Sequence, residues 1–424
     1  EKRFPNKFDL DDVSRDIPIL IMRACFHIGV LNSAGLKALN LNRETAYKYG
    51  NLIELLPNGE PSGIIKENLL EIVKPCISTL TPSLIKTMIV DAQESVFAQG
   101  ITSVQSDDIG YMPDSDYDLF FNILHELQDE EKLKLHIGEQ CLLQKKEVIQ
   151  EFFDKGYRYG DLGDRYRINC IKLLGDGSLG ARTAAMRKPY YDMPSTSGLP
   201  SFSQEELNEL VLTAHKNGVP VAIHAIGDYA IKMSLDAIEN SRNAHPERRL
   251  RDGIVHCQIT DKALISRFRE LDVLALVQPI FIDYDMNIVE SRVGEELART
   301  SYAWKSMVDK GIHVSLGTDC PVEKFNTMPN IYSAVTRRNV TTESVGNKVY
   351  LPDEALSMEE AIRAYTLESA YAAGQENERG SISVKKVADF IVLDRDLFNL
   401  DSAEDILNTN VIQTYVNGTL VYEA

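Results

Sequence analysis

No stretch of this 424-residue chain approaches the about 18 consecutive apolar residues of a membrane-spanning helix. The longest apolar run, Val273 to Ile282, is interrupted by Gln278 and Pro279. Cysteine is scarce: six residues, at 25, 76, 141, 170, 257 and 320, form no C-x-x-C pair. That disfavours a redox or zinc-ribbon framework and suits reduced, packed thiols in a cytosolic protein. Basic residues are in deficit, 45 Lys and Arg against 63 Asp and Glu, for a formal net charge of −18. This excludes nucleic acid and an anionic membrane as the main partner, leaves a small molecule as the expected one, and admits a homodimer. An initiating methionine is also missing from Glu1-Lys-Arg-Phe-Pro, so an N-terminal piece is expected to precede it, and a signal peptide there would be out of view.

What is present centres on Pro220 to Asp228, Pro-Val-Ala-Ile-His-Ala-Ile-Gly-Asp. A short apolar run bounded by glycines suits a strand buried on both faces, as in a parallel sheet covered by helices. The run ends on His224. Thirty-two residues later Asp252-Gly-Ile-Val-His256 repeats the pattern, and 63 residues beyond that His313-Val-Ser-Leu-Gly-Thr-Asp319 ends a strand on a carboxylate. One βα unit takes about 30 residues, so the intervals are one unit and two. Upstream, Ile168-Asn-Cys-Ile-Lys172-Leu-Leu sets a lysine in an apolar run before the Gly-rich turn Gly175 to Gly180. Four strand ends therefore offer Lys172, His224, His256 and Asp319 at one edge of a repeating sheet.

Residues 1–80 are mixed, with a strand expected over Ile17 to Met22 and a short helix over Asn32 to Leu39. From Thr81 the alternation is regular. Pro82 fits a first helical position, apolar residues recur to Val96, and Gly100 stops the helix. Strands are expected over 101–106, 133–137, 168–174, 220–226, 254–257, 273–278 and 312–316, with helices between them. Ser203 with Glu206, and Ser357 with Glu360, make capping boxes, the second opening a helix to Ala373. Seven strands in βα alternation stand one short of an α/β barrel of the (β/α)8 TIM type. Beyond about 376 the texture changes to Gly380-Ser-Ile-Ser-Val, Ala388 to Leu393, and a hairpin pivoting on Asn417-Gly418. The expected organisation is a mixed subdomain over 1–80 at the barrel mouth, a catalytic barrel over 81–375, and C-terminal strands of a small β-sandwich over 376–424.

A lone histidine on an apolar strand is ordinarily a satisfied core residue. Two of them at one βα spacing, in phase with a carboxylate, reverse that reading. Asp319 alone would serve as a helix N-cap, but it follows a strand end, where barrel enzymes keep their chemistry. Lys172 between Ile171 and Leu173 is poorly placed for a solvated surface residue, and desolvation is expected to release its proton more easily. The turn Gly175 to Gly180 is weak evidence for a phosphate cradle and matches no Walker sequence. His125, His136, His215, His245 and His313 take the ordinary reading. His27, in Arg-Ala-Cys-Phe-His, and Arg182, in the Gly-rich stretch, are kept as candidate substrate-binding residues.

Together these stretches resemble the amidohydrolase superfamily, in the branch of YtcJ-like hydrolases and N-substituted formamide deformylase. The matching runs are Ile171 to Ala184, Val221 to Asp228, Val255-His-Cys-Gln258, Gly317-Thr-Asp-Cys-Pro-Val322 and Gly380-Ser-Ile through Asp394. The resemblance implies a barrel carrying one or two divalent cations, usually zinc, bridged by Lys172 carboxylated by carbon dioxide, with His224 and His256 on one metal and Asp319 on the other. It also implies hydrolysis of an amide-like C–N bond by a metal-bound hydroxide, Asp319 acting as the catalytic proton carrier. The family's first-strand His-X-His has no counterpart, because no two histidines here are separated by one residue. The chain as it stands is accordingly expected to hold at most one cation, and the gap between the strands near 101–105 and 312–316 is expected to be filled by a preceding N-terminal segment, by a neighbouring chain or a local rearrangement, or else to leave those strands disordered. Two other functions stay open: a non-catalytic binding or regulatory relative, and a lyase using Lys172 as a Schiff base.

Overall fold

The computed structural model describes residues 3–23, 27–76, 80–340 and 348–424. Cys25 falls outside them. The chain divides into two compact units, Glu1–Thr79 and Leu80–Ala424.

The first unit contains an antiparallel sheet of β1 (Leu20–Met22), β2 (Ile28–Leu31), β3 (Ile53–Leu55) and β4 (Pro61–Lys66), in the order β1-β2-β4-β3. The strand expected over 17–22 pairs only in its second half, because side chains take the backbone groups before it. Ser14 Oγ accepts from Ile17 N–H at 3.1 Å, and Asn32 Oδ1 accepts from Ile19 N–H at 2.9 Å. Asn32 also caps the expected short helix, Ser33–Ala38. At Gly63, φ is +103° and a Cβ would stand 2.4 Å from the Leu31 carbonyl oxygen, so only glycine fits this crossing.

The second unit is an α/β fold around a curled parallel sheet. Its strands are β5 (Ser103–Ser106), β6 (His136–Leu142), β8 (Tyr166–Leu174), β9 (Val221–Ala225), β10 (Gly253–His256), β11 (Leu274–Val277) and β12 (Val314–Leu316), with the short β7 (Gly160–Asp161) antiparallel to β8. The order is β12-β11-β10-β9-β8-β6-β5, and each link between neighbouring strands is parallel. These are seven strands of a TIM-type barrel, alternating with helices as the spacing predicts. Burial on both faces explains why β9 reads as an unbroken apolar run: all five residues are buried. Gln204–Lys216 and Met358–Tyr365 begin at the two capping boxes, with Ser203 Oγ accepting from Glu206 N–H and Ser357 Oγ from Glu360 N–H, both at 3.2 Å. Pro82 opens Pro82–Ala98 behind the cap Thr81.

Other elements also differ from the sequence expectation. The strand expected over 133–137 starts at His136 because Gln93 Oε1 takes the N–H groups of Lys134 and Leu135, at 2.7 and 2.9 Å. The helix expected to run to Ala373 breaks at Thr366 (φ −113°, ψ −82°), giving Met358–Tyr365 and Leu367–Ala372. Gly380 to Val384 forms no strand, and Ile382 and Val384 are exposed. The C-terminal residues instead build an antiparallel sheet of β13 (Phe390–Leu393), β14 (Val411–Val416) and β15 (Thr419–Glu423). Its hairpin turns on Asn417 (φ +50°) and Gly418 (φ +73°).

The sheet's two ends, β5 and β12, are the strands expected to flank a gap. Side chains link them at one level through Ser369 on Leu367–Ala372. Gln105 Nε2 donates to the Ser369 carbonyl at 3.2 Å, and the Ser315 and Ser369 hydroxyls meet at 2.9 Å. Asn169 Nδ2 extends this belt to Gln105 Oε1 at 3.2 Å. Beside it Cys170, Ala222 and Val255 form a small interior cluster with Leu276 packed against it.

Candidate active site

Strand alternation brings two of the predicted residues inward. Cys170 and Ala222 belong to the interior cluster, and the residues two further along, Lys172 and His224, point the same way at the strands' C-terminal ends. His256 needs a different device. Val255 already faces the interior, so a continuing strand would send His256 outward. Left-handed backbone at His256 (φ +76°) and Cys257 (φ +50°) ends β10 instead and swings the imidazole round to His224, with ring centroids 4.4 Å apart. Asp319, on the loop after β12, is also left-handed (φ +60°). Its charge acts on both Lys172 and His256. His224 and His256 thus meet, and Lys172 and Asp319 lie near enough for their charges to act on His256.

Each imidazole is held through Nδ1. Gln278 Oε1 lies 2.7 Å from Nδ1 of His256, and Asp176 Oδ1 lies 3.1 Å from Nδ1 of His224. Asp176 is wholly buried and also accepts the backbone N–H groups of Ala185, Ile226 and Gly227, at 2.8 to 3.0 Å. The Gly-rich turn therefore presents a carboxylate that satisfies neighbouring amides. Burial, then the neighbouring His224, hold the His256 pKa down to about 3, against the pull of Asp319. His256 is a neutral imidazole, and with Nδ1 donating to Gln278 Oε1 its lone pair lies on Nε2.

Lys172 departs from the sequence expectation. Burial does pull its pKa down and is the largest single influence, but Asp107 and then Asp319 outweigh it and the net shift is upward. The ammonium pairs with Asp107 Oδ2 at 3.4 Å. Its polar neighbours, invisible in the run Cys170 to Leu174, decide the sign.

Among the described residues no group of three or more His, Cys, Asp or Glu side chains is arranged to hold a metal ion. The donor chemistry still fits a divalent cation. Two imidazoles stand side by side with Nδ1 tethered, the usual arrangement behind a metal-ligating histidine, and a lysine converted to its carbamate would add oxygen donors beside them.

The two substrate candidates each pair with a carboxylate of their own unit. Arg182 (φ +58°) spends its guanidinium on Asp192, with Nε and Nη2 at 3.0 and 2.8 Å from the carboxylate. His27 lies in the first compact unit, its Nδ1 2.7 Å from Glu67 Oε2. Cys320, expected to be packed, is exposed, while Cys141, Cys170 and Cys257 are buried. Sequence reasoning missed Asp107, Asp176 and Gln278. The available signal was a polar residue at the C-terminal end of a strand, as in Ser106-Asp107 and Val277-Gln278.

Comparison with known proteins agrees with this fold. The model of the amidohydrolase family matches residues 1–422. The chain is similar to the amidohydrolase-like protein YtcJ of Bacillus subtilis (strain 168), with 32% identity over 98% of this chain and 76% of that one. It is also similar to the N-substituted formamide deformylase of Arthrobacter pascens, with 25% identity over 100% of this chain and 77% of the other. Among solved structures, an uncharacterized metal-dependent hydrolase from Pyrococcus horikoshii OT3 aligns with a TM-score of 0.72 and 30% identity, over 93% of this chain and 74% of that one.

Proposed function

Because the chain belongs to the amidohydrolase family, in the branch of the YtcJ-like proteins, we propose that it hydrolyses the C–N bond of a small amide with a divalent cation held by Lys172, His224 and His256. Its family and its metal-dependent structural relatives make it a hydrolase; the bond cleaved, the cation and the division of labour are our reading. The observation that carries it is the pair of tethered imidazoles, rings 4.4 Å apart, beside Lys172 and within the field of Asp319.

When bound, a divalent cation lowers the pKa of its water from 15.7 to about 7 and polarises a carbonyl. The residues do the rest. Asp176 and Gln278 fix which nitrogen of His224 and His256 faces the cation. Lys172, as its carbamate, supplies two oxygens where an ammonium supplies none. Asp319 takes the proton of the attacking water as the C–O bond forms and delivers it to the leaving nitrogen as the C–N bond breaks, releasing acid and amine.

The test uses N-substituted formamides and acetamides. Activity should vanish on chelation and return with zinc, and Lys172→Ala should lose it, with partial rescue by formate or acetate in solution. Hydrolysis that survives both chelation and Lys172→Ala refutes the reading.

A further inference from the structure

Two aspartates follow β5 in succession, and the structure gives them different partners. Asp108 is bonded back to the strand end by the Ser106 hydroxyl, 2.7 Å from its Oδ2. Asp107 carries its carboxylate to 3.4 Å from Nζ of Lys172, with a third of its side chain exposed. Of all the carboxylates near the strand ends it is the one in contact with the lysine.

The loop that presents it is tied to an acid on the adjacent strand. Glu139, on β6, has no exposed surface. Its Oε1 accepts the N–H of Ile109 at 3.1 Å, two residues after Asp107, and its Oε2 has no hydrogen-bond partner. A buried carboxyl with one unpaired oxygen costs about 1–3 kcal/mol, which leucine at the same place would avoid. What leucine lacks is an acceptor for the loop.

Charge makes the Asp107 contact informative. Beside an ammonium, Asp107 is an ordinary counter-ion. Beside the carbamate invoked above, it would be a second anion at short range, and two such groups are held together by a cation between them.

We propose that Asp107 is a further residue of the cation centre, on its Lys172 side, and that Glu139 is the positioning residue that keeps it there. The inference rests on the cation site of the preceding section. Asp107 then has two states, paired with the ammonium when the site is empty and with the cation when it is filled. Glu139 acts only through the loop.

Zinc binding to the chelated chain, followed by calorimetry, tests this without any assay of turnover. Asp107→Asn should weaken zinc binding about ten- to a hundredfold, the range for losing one supporting group of a metal site. Glu139→Gln keeps the Oε1 acceptor and should stay within about threefold of the parent, while Glu139→Leu should share the loss of Asp107→Asn. Thermal unfolding of each variant separates a loosened site from a lost fold. Zinc binding by Asp107→Asn equal to that of a zinc-binding parent overturns the role of Asp107. Parent-like binding by Glu139→Leu, with Asp107→Asn weakened, overturns that of Glu139. A parent that takes up no zinc removes the cation centre itself and this assignment with it, a distinct outcome.

Discussion

The same strands build two unlike ends. At the C-terminal edge of the parallel sheet stand the ionisable groups of Lys172, His224, His256, Asp319, Asp107 and Asp176, the lysine paired with Asp107 and the two imidazoles held by Asp176 and Gln278. At the other end the centre of the interior is uncharged, with Arg251 at the margin of its cavity: Cys170, Ala222, Val255 and Leu276, with the amides of Gln105 and Asn169 and the hydroxyls of Ser315 and Ser369 closing over them. The remaining cavity there, about 10 Å³, barely admits a water. Two residues along β8 or β9 separate the ends, Cys170 from Lys172 and Ala222 from His224. The difference shows that stability and chemistry are written on alternate layers of one scaffold, so each should be alterable without the other.

Asp319→Asn is the strongest way to break the chemical layer alone. The amide is nearly isosteric but cannot take a proton from the attacking water, so turnover should fall about 10²–10⁴-fold while unfolding stays unchanged. Turnover within a few-fold of the parent would remove Asp319 from the mechanism, and a large drop in unfolding temperature would show that the layers are coupled.

Acid should act on both ends at once. His256 at the edge and His136 at the start of β6 both have pKa values held down to about 3, each chiefly by burial. His256 is next affected by His224, and His136 by Arg379 and Arg165. Unfolded, each imidazole titrates near 6.5, so between about 6.5 and 3 the unfolded chain binds protons that the folded chain refuses. Stability therefore falls as pH drops through that window, by at most about 1.4 kcal/mol per unit per histidine, and neither group contributes above it. In the chelated protein, His136→Gln should flatten the slope between pH 6.5 and 5. An unchanged slope would mean that His136 is protonated in the folded state.

How much of this was legible follows from what periodicity encodes. The βα repeat and the inward phase of Lys172 and His224 follow from spacing, because helix and strand periods are local. The interval put His256 at a strand end, but its approach to His224 comes from the left-handed backbone after Val255, which no periodicity reports. The charge of Lys172 was misjudged because it depends on Asp107 and Asp319, 65 and 147 residues away along the chain. Asp176 was visible only as part of a Gly-rich turn, since its role appears when residues 185, 224, 226 and 227 close round it. Long-range polar contacts were the hidden part.

Ser369→Ala tests the neutral end with the smallest change. The serine hydroxyl meets Ser315 Oγ at 2.9 Å and donates to the Ala364 carbonyl at 2.9 Å, whereas Gln105 bonds the Ser369 backbone and would keep its partner. Ser315 is buried, so the variant should lose about 1 kcal/mol, read as a lower urea midpoint with an unchanged slope. Adding Ser315→Ala should recover part of that loss, because removing both partners strands neither. Zinc affinity and turnover should stay within about twofold of the parent, since the belt lies a layer below Lys172 and His224. If Ser369→Ala depressed turnover without lowering stability, the gap between β5 and β12 would belong to the active site, and the separation of the two ends would be wrong.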